Sequence, residues 1–91
     1  MITTLKQLNA TDQDTYYAFS VHQGEDGWCE TPGFYLTKRA AEAAMHQQYP
    51  NGSGWMDRQG HWGHAYAMSW EAVYDEIYHL EAEDAYYAAR A

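Results

Sequence analysis

The sequence predicts an α+β domain, and three observations carry that expectation. A run of β-forming residues occupies Thr15–Gln23, an Ala-rich amphipathic segment follows at Lys38–Tyr49, and a second helical stretch begins at Trp70. Turn-forming clusters separate them, which gives the expected order ββαββα: a small antiparallel sheet of about four strands with two helices packed on one face. The 91 residues suffice for one compact domain, expected to span residues 1–91.

Taken in chain order, Met1–Leu8 precedes the polar, turn-rich stretch Asn9–Thr15 and reads as either a short edge strand or a loosely attached arm, residues 1–14 in all. In the next run Tyr17, Phe19 and Val21 alternate, the pattern of a half-buried strand. Gly24-Glu25-Asp26-Gly27 supplies a hairpin turn. The return strand holds Trp28 and Cys29, is interrupted at Pro32-Gly33, and resumes at Phe34-Tyr35-Leu36 as a bulge or a second short strand.

Thr37 is a good N-cap for the helix over Lys38–Tyr49, whose Ala41, Ala44, Met45 and Gln48 fall at helical spacing. Pro50-Asn51-Gly52-Ser53-Gly54 ends it. Trp55–Arg58 and His61–Met68 flank the Gln59-Gly60 turn as a second hairpin. Ser69 then caps a helix running from Trp70 toward Ala89, with Trp70, Val73, Tyr74, Ile77, Tyr78 and Leu80 or Ala82 as its inward stripe. The two halves share a hairpin-then-helix plan without similarity residue by residue.

Composition narrows the function classes. Thirteen Asp and Glu against five Lys and Arg give a formal charge of −8, which disfavours direct binding to nucleic acid or an anionic membrane and favours a basic protein surface. No run of eighteen apolar residues and no leader pattern appears. Cys29 is the lone cysteine, which fits a small part-buried thiol in a reducing setting.

Sites for chemistry are sparse. His61 and His64 are zinc-ligand types with His22, His46 and Cys29 elsewhere, but two residues three apart on a strand point to opposite faces, so packed or solvated imidazoles are the simpler reading. Glu25, Asp26 and Glu30 surround Cys29 with charge that opposes a thiolate nucleophile. No phosphate-cradling glycine loop is present. The expectation is a protein without catalytic residues, metal or cofactor.

The segment from Trp70 onward is the most informative. It carries Glu71, Asp75, Glu76, Glu81, Glu83 and Asp84 against the single Arg90. Glu81, Glu83 and Asp84, toward the C-terminal end, oppose the helix dipole and repel one another, so local stability does not account for them. The tyrosines of this helix, Tyr74, Tyr78, Tyr86 and Tyr87, cannot all face inward, and exposed Tyr is enriched at protein interfaces. The expected partner-binding set is therefore those six acids with Tyr78, Tyr86 and Tyr87. Asp12, Asp14, Glu25, Asp26 and Asp57 could extend the acidic surface.

A short, acidic, Tyr-rich chain of this kind resembles the anti-CRISPR and anti-restriction proteins of phages and mobile elements, several of which present carboxylates where a nuclease complex expects phosphates. The strand-to-helix step Gly33–Ala44 is similar to one widespread in small bacterial and phage proteins. The resemblance implies an inhibitor, in the cytoplasm of a bacterial host, of a CRISPR effector or another DNA-processing complex. Two alternatives stand beside it: an adaptor using the exposed aromatics Trp28, Trp55, Trp62 and the Tyr set, and a small metal-assisted hydrolase using His61 and His64. The exposed tyrosines also leave a homodimer open.

Overall fold

The computed structural model describes residues 1–23, 28–30, 33–50 and 61–90, with the backbone alone at residues 22, 23, 28–30, 61 and 62. The class is α+β. The elements run α1 (Leu5–Asn9), β1 (Thr15–Gln23), β2 (Trp28–Glu30), α2 (Lys38–Gln48), β3 (His61–Ser69) and α3 (Trp70–Arg90). Among the described residues the order is thus αββαβα, with three strands rather than four; the strand expected at Trp55–Arg58 and the turn at Gly24–Gly27 lie outside them.

The sheet is antiparallel in the order β2-β1-β3, so β1 is central. Its register sets Tyr16 opposite Met68, Ala18 opposite Tyr66 and Ser20 opposite His64 on β3, and Val21 opposite Cys29 on β2. Both faces of β1 are covered, so Tyr16, Ala18, Phe19, Ser20 and Val21 are all buried where alternation over Tyr17, Phe19 and Val21 predicts a half-buried strand. Short apolar runs read this way only when their neighbours in space are known.

Helices consequently flank both faces rather than one. On one side Tyr16 and Ala18 meet Val73 and Ile77 of α3, Leu8 of α1, and Ile2 and Phe34. On the other, Phe19 and Val21 enclose Met45 of α2, with Tyr35 and Tyr49 against them. Successive residues of a strand point to opposite faces, so β1 feeds the two cores in turn.

Segment 1–14 is a docked element. Ile2 pairs with Phe34 through N–H···O bonds of 2.7 and 2.9 Å, and Leu8 is fully buried. Thr4 opens α1 with a capping box: the Gln7 N–H donates to Thr4 Oγ1, and Gln7 Oε1 accepts from the Thr4 N–H. One helical turn and a half is too short to display a 3.6-residue period, so this helix escapes a search by periodicity.

Phe34 and Tyr35 each make an isolated bridge, to Ile2 and Tyr17, which realises the expected short second strand as two bridges. Thr37 caps α2 through its side-chain oxygen, which accepts from the Ala40 N–H at 3.1 Å. Ala41 and Met45 are buried and Ala44 partly so, whereas Gln48 is exposed.

Candidate partner-binding surface

Helix α3 starts without a loop. Ser69 is the last residue of β3, paired with Thr15, and its Oγ accepts from the Ala72 N–H at 3.2 Å as the N-cap. The Trp70 N–H donates to the Asp14 carbonyl at 3.0 Å, a second tie to the sheet. From there the helix runs 21 residues, about 30 Å at 1.5 Å per residue.

Its buried stripe is narrower than the spacing predicts. Only Val73 and Ile77 are buried, Trp70 is partly covered, and Tyr74, Tyr78 and Leu80 are exposed. Cover follows the row Val73-Ile77-Glu81, and Tyr74 and Tyr78, each one residue round from it, fall outside it. Past Ile77, Glu81 is the last α3 residue with partial cover, and residues 82–90 are all exposed.

The exposed aromatics are ordered. Trp70 stacks on Tyr74 with ring centroids 5.1 Å apart, and Tyr74 on Tyr78 at 6.2 Å, the rings inclined by 24° and 15°. Spacing of four residues along a helix brings such rings together. Tyr86 and Tyr87 meet edge to face at 5.4 Å, and the Arg90 guanidinium lies 4.5 Å over the Tyr86 ring. Tyr78 is 51% exposed, Leu80 54% and Tyr87 62%.

The expected acids divide. Asp75, Glu76 and Glu83 line one shallow depression with Met68, His79 and Leu80. Asp75 Oδ1 lies 3.4 Å from His79 Nε2, both side chains being largely exposed. Glu71 is exposed in the first turn, favourably placed for the helix dipole, and Asp84 is exposed further along. Glu81 turns toward α1, where its Oε1 accepts from the Leu5 N–H at 3.1 Å, so it caps a neighbouring helix. Tyr74, which periodicity assigns to the core, and Leu80 join the surface; the Trp70-Tyr74-Tyr78 spacing of four is the signal that could have shown this ladder.

Among the other candidates, His64 lies beside Tyr66, ring centroids 5.7 Å apart. His46 and His64 border a cleft between α2 and β3 with Lys38 and Glu42. Among the described residues no group of three or more His, Cys, Asp or Glu could hold a metal ion. The side chains of His22, Trp28, Cys29, His61 and Trp62 lie outside the described set, as do Glu25, Asp26, Trp55 and Asp57. Asp12 and Asp14 are exposed. No described helix is long and apolar enough to cross a membrane.

The chain matches no protein-family model, no curated protein and no solved structure.

Proposed function

We propose that the protein is a non-catalytic binding protein that presents α3 to the basic surface of another protein, and that its partner is a nucleic-acid-handling defence complex of the anti-CRISPR or anti-restriction target class. The observation that carries the reading is the far half of α3: residues 82–90 are all exposed, yet this stretch holds Tyr86 and Tyr87 beside Glu83 and Asp84. Large exposed rings contribute nothing to the core, and like charges three apart on a helix, as at Glu81 and Asp84, repel one another. Both features suit a surface that is covered by a basic partner.

The net charge of −8 supports the same reading, because it steers association with cationic grooves and opposes direct contact with DNA or RNA. Binding without turnover is expected. A second reading, an adaptor docking through the Trp70-Tyr74-Tyr78 ladder, is favoured by the exposure of those rings and predicts little dependence on salt.

The deciding experiment is capture of partners from cells carrying DNA-defence systems, eluted along a salt gradient, with the triple variant Glu76→Lys, Glu83→Lys, Asp84→Lys as control. A nuclease or CRISPR complex that elutes as salt rises and is lost with the variant supports the proposal. A partner that resists salt and is retained by the variant selects the adaptor.

A further inference from the structure

We infer that the acidic-aromatic surface of α3 recognises arginine side chains in preference to lysine, so that its partner meets it with an arginine-rich segment. The inference rests on the docking surface proposed above and adds the chemistry that selects the cation.

Three observations lead there. First, the charge is complementary to a cation: α3 carries six acids against Arg90, and Glu71 stands three residues before Tyr74 and Asp75 three before Tyr78, so each is a neighbour of a ring on the helix surface. Second, the rings are prearranged. Stacking of Trp70, Tyr74 and Tyr78 fixes their orientation while leaving Tyr78 51% exposed, and the next position of the row is Ala82, which adds no ring. Third, the chain itself shows the contact, since the Arg90 guanidinium sits 4.5 Å over the Tyr86 ring of the same helix.

An ammonium and a guanidinium carry equal charge, so carboxylates alone discriminate weakly between them. The planar, weakly hydrated guanidinium stacks on an aromatic face while its N–H fork reaches a neighbouring carboxylate; the compact, strongly hydrated ammonium does this less well. A row of rings flanked by Glu71 and Asp75 offers both contacts to one arginine at once. Self-association through this face is opposed by the same acids, which would meet their own copies.

The test is calorimetric titration of the full chain with oligo-arginine and oligo-lysine peptides of equal length at one ionic strength. The expected result is oligo-arginine binding about five-fold tighter. Tyr78→Leu, which keeps apolar area but removes the ring, should bring the two peptides to parity, and Tyr78→Phe should keep the preference; far-UV circular dichroism of each variant confirms the helix. Equal, salt-sensitive binding of both peptides would overturn the arginine preference and leave the acidic docking surface standing. An arginine preference that persists in Tyr78→Leu would overturn the role of the ladder. Failure of both peptides to bind would overturn the inference together with the docking reading.

Discussion

Glu81 Oε1 accepts a hydrogen bond from the backbone N–H of Leu5, the first helical residue of α1, across 76 positions of chain. One carboxylate of the acidic helix thus serves the fold. Glu81→Ala is expected to lower stability by about 1–2 kcal/mol, because a charged acceptor is lost from a part-buried donor. Ala is the better helix former, so the loss isolates the contact. Urea unfolding checks it, and binding of a basic partner should change less in this variant than in Glu83→Lys.

Ile77 and Leu80 stand three residues apart on α3 and differ sharply in cover, at 1% and 54% exposure. Ile77→Ala should cost about 2–4 kcal/mol through lost burial and a residual cavity. Leu80→Ala should stay within about 0.5 kcal/mol. Equal losses in denaturant midpoints would show that the far half of the helix is covered after all.

Tyr16 is fully buried, and its hydroxyl is satisfied by Thr11 Oγ1, whose own proton goes to the Leu8 carbonyl at 2.6 Å. The pair joins β1 to the end of α1. Tyr16→Phe keeps the ring and removes the link, for an expected loss of about 1 kcal/mol. Thr11→Ser, which keeps the hydroxyl, should lose less in the same melt.

Gly33 lies beneath the first two residues: a methyl group there would come 2.5 Å from Met1 Cγ and 2.9 Å from the Ile2 carbonyl oxygen. The Met1 side chain can swing aside, but the Ile2 carbonyl is held by the Phe34 N–H. Gly33→Ala should therefore destabilise by about 1–3 kcal/mol. Adding Met1→Ala should recover only the part due to the side chain, which a thermal melt of the double variant would read.

Much of the local structure is legible in the sequence, because its signals are local. Thr37 and Ser69 announce their helices by side-chain oxygens that cap the third residue on, and the β-forming run from Thr15 marks its strand to the residue. What escapes depends on neighbours in space. The two-sided burial of β1 follows from α1 and α3 packing on one face and α2 on the other, and α1 shows itself by one capping box rather than a period. The acidic surface is legible as a helix and illegible as a face. Asp75, Glu76 and Glu83 converge, while Glu81 is claimed by Leu5, a partner no spacing rule connects to it.

Ser69 closes the Thr15 pair of the sheet and caps α3 in the same residue, and Trp70 is tied at once to Asp14. No slack separates strand from helix, and Val73, Ile77 and the Glu81–Leu5 bond hold α3 to the body as far as its middle, so its free arm begins beyond Glu81. From Glu81 to Arg90 that arm extends about 14 Å. A load applied near Tyr86 would reach the Glu81–Leu5 bond before the strand ladder, which makes that carboxylate the hinge point of the arm.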